Sequence, residues 1–284
     1  MSQPIRVYVS VDMEGIAGVG HPGPTGRGEL GYDRAVELMC GEANAAIEGA
    51  LAAGAAEILV NDSHEFMHNL PPAALHPAAR LLQGQKPWSM VAGAIGPDGA
   101  ARFDVALFVG YHARAGHPGG TLAHTYSFAQ TLTTLDGRPT GEYGLNAAVL
   151  GAWGIPVGLV TGDDALAAEV EGLLPWAERV VVKEAAGGHA AASLHPERAR
   201  ALVREGAERA VRRAAARELR SLAPRPSTTI EVEFDRGVLA DHAAIVPGIE
   251  RVGDRAIRIV ADSVVDAYRL YLAAFRLASI VVRV

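Results

Sequence analysis

Residues 7–14 read Val-Tyr-Val-Ser-Val-Asp-Met-Glu, and this stretch constrains the fold more than any other. Its β-branched and aromatic residues have the character of a buried strand. The strand then delivers two carboxylates, Asp12 and Glu14, one residue apart. In an extended backbone positions i and i+2 point to the same side, so both acids are expected to face one pocket past the strand's carboxyl end. Two acids that close repel each other unless a cation or a shared proton lies between them. Gly15 follows, where bulk would crowd whatever the acids hold.

An acidic pair after a strand is by itself more often a cap or a solvated turn. Here the pattern recurs. Glu57-Ile-Leu-Val60 runs into Asn61-Asp-Ser-His64, and Val105-Ala-Leu-Phe-Val109 runs into Gly110-Tyr-His112. Three expected parallel strands each finish with a side chain able to bind metal. Ligands of open α/β sheets bind outside the carboxyl ends of the strands, so the shared polarity points to a site.

With 284 residues the chain has room for one large domain or two ordinary ones. Hydrophobic residues make up 49% and charged residues 20%, which argues for a packed globule rather than disorder. The net charge of −6 argues against nucleic acid, which attracts a basic face. Only Lys86 and Lys183 are lysine among 26 basic residues. The arginines gather in residues 198–220 among glutamates, the pattern of a solvated helix face. The single cysteine, Cys40, excludes an intramolecular disulfide and reads as a small core residue. The opening Met-Ser-Gln-Pro leads directly into a strand without a signal-peptide pattern, and no apolar run is long enough to span a membrane. The expected location is cytoplasmic, with no membrane partner.

Along the chain, Gly18-Val-Gly-His-Pro-Gly23 matches G-x-G-x-x-G in letters only. That fingerprint needs its last glycine to open a helix, and Pro22 and Pro24 interrupt, so a mobile active-site loop is expected instead. Residues 32–53 have helical spacing and stop at Gly54. Residues 80–82 suit a short strand. Residues 121–135 alternate polar and apolar, and Asp136-Gly137 supplies a hairpin turn. Glu142 opens a helix reaching Trp153, residues 156–160 read as a strand, and Asp163 or Asp164 caps the helix that follows. A strand is expected at 180–182, and one long amphipathic helix over 195–222, closed by Pro224 and Pro226. Strands at 228–234 and 255–260 precede a helix over 263–279. The expected fold is α/β: a three-layer, doubly wound, mostly parallel sheet over residues 1–186, followed by a smaller α+β domain over 187–284.

Several chemistries compete. His64-Glu-Phe-Met-His68 fits H-E-x-x-H, but that zinc motif works only on a helix, where i and i+4 share a face. A strand feeds it directly and Pro71-Pro72 ends any helix, so His64 stays as a lone candidate ligand and His68 reads as a surface histidine. No G-x-S-x-G elbow is present, and Cys40 has no polar setting. Metal chemistry remains. Asp12, Glu14, His64 and His112 offer two carboxylates and two imidazoles, a mixture suited to zinc. A pair of metals would want a fifth ligand with one carboxylate bridging. Glu142 qualifies, although spacing alone favours an ordinary first-turn acid drawn by the helix dipole.

The chain resembles the zinc-dependent D-aminopeptidases, the type found in a bacterial dipeptide-transport operon. The resemblance rests on Ser10-Val-Asp-Met-Glu-Gly15, Val60-Asn-Asp-Ser-His64, Leu75-His-Pro77, Lys86-Pro-Trp-Ser-Met90, Gly110-Tyr-His-Ala-Arg-Ala115, Gly141-Glu142, Gly144-Leu-Asn146 and Gly162-Asp-Asp164. These cover the first two-thirds of the chain closely and the last third loosely. The resemblance implies two zinc ions per subunit on Asp12, Glu14, His64, His112 and Glu142, with Asp12 bridging, and a catalytic histidine at His124. It implies a short peptide substrate with a D-residue at its amino end. It also implies a ring-shaped homo-oligomer, a decamer on the family pattern, with its sites facing an inner cavity. The loop 115–122, holding His117, is one residue longer than the family pattern, which bears on substrate preference. The alternatives are another binuclear metallo-amidase on the same scaffold and a non-catalytic ring protein whose metal staples the fold.

Overall fold

The computed structural model describes residues 4–282, so the reading of the opening Met-Ser-Gln lies outside the described residues. The chain runs β1 (Ile5–Val11), α1 (Tyr32–Ala52), β2 (Ala55–Asp62), β3 (Arg80–Leu82) and β4 (Val105–Val109). It continues through β5 (Gln130–Leu135), β6 (Arg138–Pro139), α2 (Glu142–Ala152), β7 (Val157–Asp163) and α3 (Asp164–Leu173). Next come β8 (Glu178–Gly187), β9 (Ala190–Ser193), α4 (Pro196–Ala215) and β10 (Thr228–Phe234). The chain closes with α5 (Gly237–Ala243), β11 (Ile249–Val252), β12 (Ala256–Ala261) and α6 (Val264–Val282).

Seven strands form one sheet in the order β3-β2-β1-β4-β7-β8-β9, parallel throughout except for β9 at the edge. β1 lies between β2 and β4, and the chain leaves it in one direction and later returns on its other side. The order therefore reverses at β1, and the carboxyl ends of β1, β2 and β4 open on the crevice this makes. The parallel strands are buried on both faces. Val7, Val9 and Val11 pack with α1 and α4, including Met39, Ala43, Val203 and Ala207. Tyr8 faces the other way, into a core shared with Phe108, α2, α3 and α6. This is the α/β, three-layer, mostly parallel arrangement expected.

The other five strands form a separate antiparallel sheet in the order β11-β12-β10-β5-β6. Its alternation is plain: Thr228, Ile230, Val232 and Phe234 are buried while their neighbours are not. The two sheets do not divide the chain at residue 187. β9 and α4 belong with the parallel sheet, whereas the hairpin β5–β6, far earlier in sequence, pairs with β10. The hairpin turns on Asp136 and Gly137, both with positive φ as its tight turn requires.

Three local readings change. Residues 121–128 are not a strand: Leu122 and Tyr126 adopt left-handed conformations, and the amides of Leu122 and His124 bond instead to the carbonyls of Gly188 and Ala113. The helix expected over 195–222 stops at Ala215, because Arg217 turns left-handed and the amides of Arg217 and Glu218 bond back to Ala214 and Arg213. The prolines expected to close it come later than the true end. β1 itself ends at Val11, so Asp12 and Glu14 stand on a turn rather than on extended backbone. Among the described residues no helix is long and apolar enough to cross a membrane.

Candidate metal centre

Each of the first three parallel strands of the crevice delivers its polar residues through a tight exit. After β1 the amide of Gly15 bonds to the carbonyl of Gly110, and after β4 the amide of Tyr111 bonds to Thr161 on β7. A Cβ on Gly15 would lie 1.8 Å from the Tyr111 carbonyl oxygen, and one on Gly162 would lie 2.2 Å from the same atom. Gly15 is thus required where two backbones touch, not where bulk would crowd a ligand. After β2, Asp62 accepts the amides of Asn69 and Leu70 and folds residues 63–70 into a turn. Glu65 and Met67 are left-handed there, so His64 and His68 share no helix face and the H-E-x-x-H reading falls.

These exits bring Asp12, Glu14, His64 and His112 together, and His124 and Glu142 join them from the segment 121–128 and the start of α2. His64 Nδ1 lies 3.2 Å from Asp12 Oδ1 and 3.0 Å from Glu14 Oε2. His112 Nε2 lies 3.4 Å from Asp12 Oδ2 and 3.5 Å from Glu142 Oε2. His124 Nε2 lies 3.8 Å from Glu142 Oε1. Asp12 therefore stands between two groups, Asp12–Glu14–His64 and His112–His124–Glu142, and the ligand atoms within each group lie within 4.8 Å of one another. All six are buried, from 2% exposed for His112 to 9% for His124. Every residue expected at the site is in this cluster. His124 reaches it from the left-handed segment, beside Glu142 at the start of α2, and its ring stacks on His112 with centroids 4.0 Å apart.

The imidazoles share one polarity. His64 Nε2 bonds to the Thr25 carbonyl at 2.8 Å, His112 Nδ1 to Ala113 at 3.0 Å, and His124 Nδ1 to Leu122 at 2.8 Å. A carbonyl only accepts, so each outer nitrogen carries the hydrogen. Each inner nitrogen points at carboxylate oxygens. His112 Nε2 and Glu14 Oε2 have no hydrogen-bond partner among the described residues. Three carboxylates and three inward nitrogens in a buried space call for cations, or for protons in their stead. The titration of the bare cluster shows the same demand. Burial and the Glu14 charge push Asp12 above its ordinary value. Burial acts to lower His64 and His112, but the acids beside them outweigh it and raise both well above theirs. Burial and the His112 charge lower His124. Outer N–H groups fixed on carbonyls, with inner nitrogens turned toward carboxylate oxygens, are what metal-binding histidines need, so the donor set fits a borderline cation such as zinc.

A second layer holds this cluster, and the sequence reading did not find it. Ser10 Oγ bonds to Ser63 Oγ and to the Tyr111 hydroxyl, both at 2.7 Å. Asn146 Nδ2 donates to Tyr111 at 3.2 Å, Tyr268 donates to Asn146 Oδ1 at 3.1 Å, and Tyr126 meets Tyr268. The Tyr126 amide donates to Glu142. Ser10, Ser63, Tyr111, Tyr126 and Asn146 each lie within four positions of a cluster residue, and all but Tyr126 stand in the stretches that carry the family resemblance. Thr25 acts through its carbonyl, which carries no signal at all. The loop expected to be mobile is the one that supplies it, through a single helical turn, Gly23–Thr25.

The geometry agrees with three likenesses. The family model for D-aminopeptidases, Peptidase_M55, matches residues 5–273. A D-aminopeptidase of Bacillus subtilis (strain 168) is 37% identical over 276 residues, covering 96% of this chain and 98% of the relative. The solved structure of the Zn-dependent D-aminopeptidase DppA from Bacillus subtilis, described as a self-compartmentalizing protease, superposes with a TM-score of 0.90 at 36% identity, over 97% of this chain and 98% of that one. With the family match running through both sheets and the six-residue cluster, the chain belongs to the D-aminopeptidase family.

Proposed function

We propose that this chain is a two-zinc aminopeptidase that removes the amino-terminal residue of short peptides or amino-acid amides, with preference for D-residues. The observation that carries the reading is the common aim of three imidazoles, each tethered outside by a carbonyl and open inside toward carboxylates. Asp12, Glu14 and His64 would hold one ion, and His112 and Glu142 the other, with Asp12 bridging because its two oxygens face different histidines. The zinc dependence and D-specificity of the Bacillus subtilis relative support the metal and the substrate class.

Bound zinc would polarise a peptide carbonyl and bring the pKa of a water down to about 7. The residues do the rest. His124 keeps its proton on Nδ1, held by Leu122, so Nε2 is the atom that accepts a proton or passes one to the departing amine. Glu142 Oε1 lies 3.8 Å from that nitrogen and is itself engaged by the Tyr126 amide, so Nε2 stays open. Phe128, stacked on His124 at 4.4 Å, fixes the ring plane.

A second reading of His124 has its own support: its Nε2 groups with His112 and Glu142 as well as any ligand does. His124→Ala separates the two. A catalytic His124 leaves zinc content unchanged and costs at least about a hundredfold in kcat. A ligating His124 takes zinc with it. The whole reading is tested by zinc per chain and by hydrolysis of matched D- and L-aminoacyl amides before and after chelation. Full activity in metal-free protein, or in Glu142→Gln, overturns it. The relative's self-compartmentalizing character supports a ring, a decamer on the expected pattern, and light scattering of the zinc-loaded protein measures it.

A further inference from the structure

The chain holds two lysines, and all its other basic residues are arginine. Neither lysine is on the surface: Lys86 is 7% exposed and Lys183 1%. Among the described residues neither ammonium has a carboxylate within ion-pair distance, yet both are bonded to backbone carbonyls of the turns that carry the metal cluster. Lys183 donates to the carbonyls of Glu14 and Val19, with that of Ile16 at 3.5 Å. Lys86 donates to the carbonyl of Asp62 at 2.7 Å, two residues before His64. The turn after β1 is gripped from its other polarity too, since buried Glu42 accepts the Ala17 amide at 2.8 Å.

An ammonium is a compact point charge with three donors set tetrahedrally, and it can gather carbonyls converging from one tight turn. A guanidinium is a flat fork made for a carboxylate or phosphate edge. Lysine thus stands at two buried places where a compact cation meets backbone carbonyls beside the metal cluster. Resting on the metal reading above, the geometry points to Lys183 and Lys86 as positioning residues: internal cations that hold the Glu14 and His64 turns in ligand geometry before any ion arrives.

The test uses the full chain. Zinc affinity is measured by chelator competition, and hydrogen exchange is followed over residues 14–19 and 61–64 in metal-stripped protein. Lys183→Met is expected to weaken zinc at least tenfold and to speed exchange over 14–19 while circular dichroism shows the fold retained. Lys183→Arg is expected not to restore either. Zinc affinity and exchange equal to the unsubstituted chain in Lys183→Met overturn the proposal. Should Lys183→Met not fold, Lys86→Met carries the same test through residues 61–64. If the unsubstituted chain binds no zinc, the metal reading fails on its own, and the exchange rates still decide whether the lysines order the turns.

Discussion

Gly15 shows how much one atom decides here. It follows the acidic pair, and its role is to let the turn after β1 lie against the Tyr111 peptide. Gly15→Ala is expected to cost about 3 kcal/mol or more, because a Cβ 1.8 Å from a carbonyl oxygen forces backbone to move. Urea unfolding measures it, and a loss below about 1 kcal/mol would show that the contact relaxes easily. Asp12, Glu14, His64 and His112 were legible as candidates because each follows a strand pattern at its polar end. Glu142 was legible only as a first-turn acid, and His124 only through resemblance, since neither has a local pattern that separates a site residue from a cap or a paired histidine.

At the scale of elements, strand ends and helix starts do the positioning. Asp163 ends β7 and caps α3: one oxygen accepts the Leu166 amide and the other accepts Thr121, both at 2.8 Å. It thereby joins α3 to the segment that carries His124. Asp163→Ala is expected to lose about 1–2 kcal/mol of stability for the cap and also to lower kcat with zinc content unchanged, because Thr121 is released. Melting curves and metal analysis together check this, and unchanged kcat would confine Asp163 to capping. The cap was readable from the sequence and the second bond was not. Residues 121–128 misled by alternating polar and apolar, which serves a strand or a wrapped segment equally until Leu122 and Tyr126 turn left-handed.

Across the whole molecule, buried acids away from the cluster set a pH response. Burial raises Glu42 and Glu169 to about 7, against an ordinary value of 4.5. The folded state then keeps these protons longer than the unfolded chain does. Their contribution is full below about 4.5 and is lost as pH rises through about 7, on the order of 3 kcal/mol for a group so placed. Stability should therefore fall between pH 5 and 7.5 by more in the unsubstituted chain than in Glu42→Gln, as melting temperatures at the two pH values will show. An equal fall in both would mean that Glu42 titrates normally.

By itself the sequence determined the α/β class, the strands that open on the crevice and the residue types that can hold metal there. These follow from periodicity and from side chains attached to strand ends, which are properties of neighbours along the chain. Only the tertiary structure decided that β5 and β6 join β10, that Lys183 and Lys86 serve as buried donors, and that Ser10, Tyr111, Asn146 and Tyr268 form one network behind the cluster. Those contacts join residues up to 169 positions apart. They exist because the strand order places β1 between β2 and β4, and they run in part through backbone carbonyls, whose chemistry is the same at every residue.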